Sequence, residues 1–259
     1  MQKLFFFSCL ILLFTSCEKV VKLDLKNAAS GVVVQGNITN QPGPYSIELN
    51  STINYYDSNT FPAVSGATVN LNDNAGNAET LTEISPGIYQ ASSIQGTIGR
   101  TYYLKINASG KEYLSNSTMA NSVPIDTVIF LKSRNNTYRL TCVFSDPTGI
   151  SNYYMVQLSS KDTAAINNKN VRVASDKLTD GQQMAITYRS NLLLNDTVKV
   201  NLQSIDKSTF DFYNTLQNAQ GEINPFLSSP PANPISNISN GGLGYFSAYS
   251  VATKTAVVR

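Results

Sequence analysis

Short runs with a two-residue alternation of apolar and polar side chains recur about every ten residues, separated by turns of Gly, Pro, Asn and Asp. That rhythm points to β-sandwich architecture, because each run must pair with another and bury one face. Tyr45-Ser46-Ile47-Glu48-Leu49 is a clear case, with Tyr45, Ile47 and Leu49 on one side. Further strands are expected at Val32–Ile38, Ala67–Leu71, Thr80–Ile84, Ile88–Ala91, Thr101–Ile106 and Glu112–Leu114. Past residue 123 the register restarts, with runs at Thr127–Leu131, Tyr138–Phe144, Tyr153–Leu158, Val171–Ala174, Met184–Tyr188 and Thr197–Leu202. The Gly cluster at 241–244 precedes an expected closing pair of strands. The fold class is mainly β, two β-sandwich-like domains. The first (31–122) resembles small immunoglobulin-like or transthyretin-like sandwiches, and the second (123–259) carries one capping helix.

That helix is expected near 207–220. Asp206 is placed as N-cap, with Ile205 before it and Phe210 four residues after it, the spacing of a hydrophobic staple. Phe212, Tyr213, Leu216 and Ala219 share one face, which reads as core packing, and Gly221 supplies a stop. The segment 224–234 carries four prolines and is expected as a crossing loop.

The surface is wetted mostly by neutral groups. Charged residues make up 14% of the chain and the net charge is +2, while Asn alone numbers 28. No basic cluster exists to neutralise a phosphate backbone, so nucleic acid is not an expected partner. His is absent, which removes the commonest general base and every His-ligated zinc site.

The N-terminus points to export. Lys3 precedes an apolar run from Leu4 to Phe14, long enough for a signal sequence and too short to cross a bilayer. Phe14-Thr15-Ser16-Cys17 resembles the lipobox of bacterial lipoproteins, which implies a signal peptide over 1–16, acylation (palmitate among the chains) at Cys17, and a tether or first strand over 17–30. Three acyl chains would anchor the protein durably, since each buried methylene contributes about 0.8 kcal/mol. With Cys9 discarded and Cys17 lipidated, Cys142 remains without a disulfide partner and reads as a small buried hydrophobe.

Candidate chemistry is sparse. Ser204-Ile-Asp-Lys207 has Ser-x-x-Lys spacing but lacks the companion motifs of penicillin-recognising enzymes. Asn72 to Asn77 is oxygen-rich, yet it lacks the spaced acids of a calcium loop and reads as a hairpin turn. Glu79, Glu83 and Glu112 lie in or beside expected strands, where two of them could face each other as the carboxylate pair of a glycan hydrolase. Exposed aromatics on a loop, Tyr55, Tyr56 and Phe61, form the candidate binding loop. Tyr245, Phe246 and Tyr249 are assigned to the core. Thr127, Thr163 and Thr197 each follow Asp and precede an apolar residue, resembling bacterial O-glycosylation sites. No catalytic, cofactor-binding or metal-ligating residue is assigned, and no cofactor is expected.

An ordered set of motifs carries a family resemblance: Cys17-Glu-Lys-Val-Val, Ile38-Thr-Asn-Gln-Pro-Gly-Pro-Tyr45, Val64-Ser-Gly-Ala-Thr-Val69, Pro86-Gly-Ile-Tyr89, Ser204-Ile-Asp-Lys207, the Pro-rich 230–234, and Asn237-Ile-Ser-Asn-Gly241 with Gly244-Tyr-Phe246. Over essentially the whole mature chain it is similar to the Bacteroidota lipoproteins grouped as domain of unknown function 4249. The resemblance implies a lipid-anchored outer-membrane protein, facing either periplasm or cell surface, and often encoded beside TonB-dependent receptors. The expected role is a non-enzymatic accessory or binding component of such a receptor system. The alternative is a structural subunit or adhesin of a surface assembly.

Overall fold

The computed structural model describes residues 31–53, 61–133, 135–160, 171–220 and 233–259. Cys17, Tyr55, Tyr56, Thr163 and Gly221 lie outside the described residues, as do the signal peptide, the tether and most of the Pro-rich segment.

Two β-sandwiches share one sheet. In the first, β1 (Val32–Thr39), β2 (Tyr45–Ser51), β5 (Thr82–Ser85) and β6 (Ile88–Ala91) lie in the order β1-β2-β6-β5. They face a second sheet of β3 (Thr68–Asp73), β4 (Ala78–Thr80), β7 (Thr101–Ala108) and β8 (Lys111–Thr118), ordered β4-β3-β7-β8. Alternation does the sorting: in β7, Tyr102, Leu104, Ile106 and Ala108 turn inward and the residues between them face water. The expected strand at Thr80–Ile84 is divided. Leu81 is buried and its N–H donates to Val69 O at 2.8 Å, so the chain changes sheets there.

In the second sandwich, β11 (Tyr153–Ser159), β12 (Val171–Ser175) and β14 (Thr197–Ile205) pack over β9 (Thr127–Lys132), β10 (Tyr138–Ser145) and β13 (Gln183–Leu192). Its core includes Leu140, Cys142, Phe144, Tyr154, Val156, Ile186, Val200 and Leu202. Phe144 and Tyr154 meet edge to face with ring centroids 4.6 Å apart.

The two sandwiches are joined by β15 (Leu243–Val257), a single strand of 15 residues where a closing pair was expected. Its first half pairs parallel with β1, from Leu243 against Val33 to Tyr249 against Thr39. Its second half pairs antiparallel with β14, from Ser250 against Ser204 to Val257 against Thr197. The result is one eight-stranded sheet, β12-β11-β14-β15-β1-β2-β6-β5. The parallel half requires close backbone approach at Gly244 (φ +88°), where a Cβ would lie 2.0 Å from Val34 O.

The partition at residue 122 therefore needs correction. Ile238, Phe246 and Ala248, from far along the chain, belong to the core of the first sandwich. Burial of Phe246 beside β1 outweighs sequence proximity, since a side chain of that size gains about 2–3 kcal/mol on burial. Ser117 of β8 reinforces the seam: its hydroxyl accepts from Ala248 N at 2.7 Å.

Helix α1 (Lys207–Gln220) begins where expected. The Asp206 Oδ1 accepts from Thr209 N at 2.8 Å, and its Oδ2 accepts from Ser117 Oγ at 2.6 Å. One carboxylate thus caps the helix and ties it to the first sandwich. Of the two placements open to a capping helix, an end or a face, α1 takes the face: it lies on the outer face of the joint sheet, against β11, β12 and β15. No helix among the described residues is long and apolar enough to cross a membrane.

Candidate helix–sheet binding cleft

Residues spaced four apart on α1 fasten it to the sheet by polar contacts. Thr209 Oγ1 donates to Ser247 Oγ at 2.8 Å, the Tyr213 hydroxyl donates to the Tyr245 hydroxyl at 2.8 Å, and Gln217 Nε2 donates to Val171 O at 2.8 Å. Beside these three contacts a cleft of about 500 Å³ lies between the helix and the sheet. The sheet contributes Gln35 and Asn37 from β1, Tyr245 and Tyr249 from β15, Gln203 from β14, and Met155 and Gln157 from β11. Alternation explains why these residues share a face: their chain neighbours Val34, Ile38, Phe246, Ala248, Leu202 and Val156 fill the two cores.

The cleft wall is neutral and built from carboxamides and phenols. The ring of Tyr245 packs against Phe212 (4.8 Å) and Tyr213 (5.1 Å). The Tyr245 oxygen accepts from Tyr213 and, at 3.4 Å, from Asn37 Nδ2. Gln203 is 3% exposed; its Nε2 donates to Gln157 Oε1 at 3.2 Å, and its own Oε1 has no hydrogen-bond partner among the described residues. Burial raises the phenols of Tyr213 and Tyr249, with Tyr245 beside both adding to the effect, and Tyr249 is pushed up to about 12. Both are uncharged at any physiological pH.

A second hollow, about 630 Å³, lies at the end of the second sandwich, between the 149–151 turn, Ser175 to Asp180 and the first turns of α1. It is of mixed charge, and Lys207 is paired with Asp211 at 2.5 Å. Asp176 and Asp180 from its wall meet Asp146, with one oxygen of each within 4.8 Å of the others. Such a group could ligate a hard cation. Each carboxylate is nevertheless engaged by the protein. Asp146 accepts from Tyr154 Oη and Gly181 N, Asp176 from Asn152 N, and Asp180 from Gly149 N. These bonds lock the β10–β11 and β12–β13 loops together. The three aspartates are separated by irregular intervals, so no motif betrayed them.

The sequence candidates fare differently. Phe61, the described member of the candidate binding loop, is 59% exposed and stands apart from the cleft. Of the late aromatics assigned to the core, Phe246 and Tyr245 are buried and Tyr249 is half-buried; Tyr245 and Tyr249 also line the cleft, because alternation turns them to the face opposite Phe246. Tyr213 and Leu216, read as core packing, line it too. Thr127 and Thr197 are exposed, each the first residue of its strand. Asn72 to Asn77 is a turn held by Asp73, which accepts from Ala75 N, Asn77 N and Arg100 Nη1. Glu79 accepts from the N–H groups of Ser92, Ser93 and Ile94, Glu83 from Gly66 N and Gly87 N, and Glu112 pairs with Lys105 at 2.6 Å. The three glutamates serve separate structural contacts. Ser204 is buried in the sheet while Lys207 points to solvent toward Asp211, so the Ser-x-x-Lys spacing forms no pair.

A family model described as "Domain of unknown function (DUF4249)" matches residues 18–255. No curated protein matches the chain. Among solved structures, the chain is similar to one described as a cytokine receptor complex (8% identity, covering 69% of this chain and 92% of that one, TM-score 0.26). It is also similar to a two-domain fibronectin type III segment of chicken tenascin (12% identity, 68% and 91%, TM-score 0.22). A third is a DUF4785 family protein from Legionella pneumophila (11% identity, 70% and 54%, TM-score 0.24).

Proposed function

The chain belongs to the DUF4249 family, and from that premise we propose that it is a non-enzymatic, lipid-anchored binding component of the outer membrane that works beside a TonB-dependent receptor. The anchor is Cys17, preceded by an apolar segment and small residues that suit export and acylation. The binding role is carried by one observation: among the described residues, the helix–sheet cleft is lined by amides, phenols and aliphatic groups and by no charged side chain. A concave, partly apolar surface with a few fixed polar groups suits recognition. General acid–base or nucleophilic chemistry would call for a group able to gain or lose a proton near neutral pH.

Mass spectrometry of the native protein is expected to find a triacylated N-terminal Cys17. Crosslinking in intact cells followed by detergent extraction is expected to recover a TonB-dependent receptor. A bare Cys17 thiol would refute the anchor, and recovery of no receptor together with normal uptake in a deletion strain would refute the partnership.

A further inference from the structure

We propose that the cleft between α1 and the outer face of the joint sheet binds an uncharged saccharide, an inference that rests on the binding role above and names its ligand class. The cleft leaves polar groups of both kinds unmet. Gln203 Oε1 is an acceptor with no partner among the described residues, in a residue only 3% exposed. Such an atom destabilises the free protein until something donates to it. The Tyr245 oxygen already accepts from Tyr213 and Asn37, so both of its lone pairs are used, and its own O–H has no acceptor among the described residues. A ligand that answers both must donate and accept without carrying charge. Alcohol groups do this, and adjacent ring hydroxyls do it repeatedly.

The remaining chemistry agrees. Gln35, Asn37, Gln157 and Gln217 present further carboxamides, each able to donate and accept in one plane. Tyrosine rings offer flat apolar faces for the C–H side of a sugar ring. A carboxylate or phosphate would lose its hydration here with no cation among the described lining residues to meet it. A peptide is the weaker candidate, because peptide recognition by sheets uses a free strand edge for main-chain pairing. The floor of this cleft is instead the face of β1, β15, β14 and β11, each already hydrogen-bonded on both sides, so only side chains are offered.

The test uses the full chain in a detergent without a sugar headgroup, screened against an array of neutral di- to tetrasaccharides, uronate-containing counterparts and short peptides. Tyrosine emission provides a second readout, since the chain has no Trp. Saturable binding of at least one neutral saccharide is expected, with the uronates at least about tenfold weaker. Gln203→Met, which keeps the volume and removes the unmet acceptor, is expected to weaken binding about tenfold or more without lowering Tm; Tyr245→Phe is expected to weaken it comparably. Absence of any neutral saccharide ligand, equal binding of uronates, or full affinity in both variants would overturn the proposal. Peptide binding that is lost in Gln203→Met would overturn the saccharide class while sparing the binding role. Receptor crosslinking, measured separately, tests that role without any saccharide.

Discussion

Glu79 shows how a carboxylate that looks catalytic in sequence becomes a structural latch. Burial opposes its ionisation, but N–H donors from Ser92, Ile94 and Ser93 outweigh it and hold the carboxyl at about 2. A group depressed from its ordinary 4.5 contributes stability that is fully present above about pH 4.5 and lost as pH falls toward 2. Allowing for its partial exposure, the contribution is on the order of 1–2 kcal/mol. Glu79→Gln is expected to lose about that amount at pH 7 and to flatten the acid limb of a urea-denaturation series between pH 4.5 and 2. An unchanged limb would show that other carboxylates carry it. Cys142 gives the opposite shift: burial, only partly offset by Lys254, pushes its thiol up to about 12. At pH 8 about one thiol in ten thousand is ionised. Native protein is therefore expected to resist maleimide labelling at Cys142 and to label quickly in guanidinium. Rapid native labelling would contradict its place in the core.

At the scale of elements, α1 is held by its cap as much as by its apolar face. Asp206→Ala removes the bond to Thr209 N and the bond to Ser117 Oγ together, so its expected cost exceeds the usual cap value of about 1 kcal/mol. Asp206→Asn keeps an oxygen for the helix, and a double-mutant cycle with Ser117→Ala should give a coupling energy of about 1 kcal/mol. A coupling near zero, read from chemical denaturation, would mean that the seam contributes nothing through this pair. Strand β15 shows why an element's partners are harder to read than its existence. Its alternation is plain in sequence, but a strand that pairs parallel with β1 and antiparallel with β14 has no local mark of where it changes partner.

For the whole molecule, the consequence is cooperativity. Both cores draw on β15 or its flanks, with Ile238, Phe246 and Ala248 in the first and Val258 in the second. Calorimetry is expected to give one unfolding transition, and residues 31–122 alone are expected not to fold, for want of the parallel partner of β1 and those three core residues. A folded 31–122 fragment by circular dichroism and amide dispersion would refute this. Phe246→Ala, a truncation at a fully buried site, is expected to cost about 3–5 kcal/mol and to destabilise both sandwiches at once. Loss confined to one sandwich would show that the shared strand does not couple them.

What the amino-acid order determined by itself is local and periodic: a mainly β chain, most strand positions, the N-cap at Asp206, the aromatic face of α1, and the turn at Asp73. Each follows from side-chain alternation, turn chemistry or capping, which act over a few residues. The cleft was legible only in part. Tyr213, Tyr245 and Tyr249 drew notice as aromatics, yet alternation says only that neighbours such as Tyr245 and Phe246 face opposite ways and cannot say which of them meets a core. That choice, the sharing of β15 between two sandwiches, and the placing of Gln203 and Tyr245 in one cleft beneath a helix were decided by tertiary packing. Burying Phe246 beside β1 stabilises one of the two orientations, and that turns Tyr245 and Tyr249 toward the cleft.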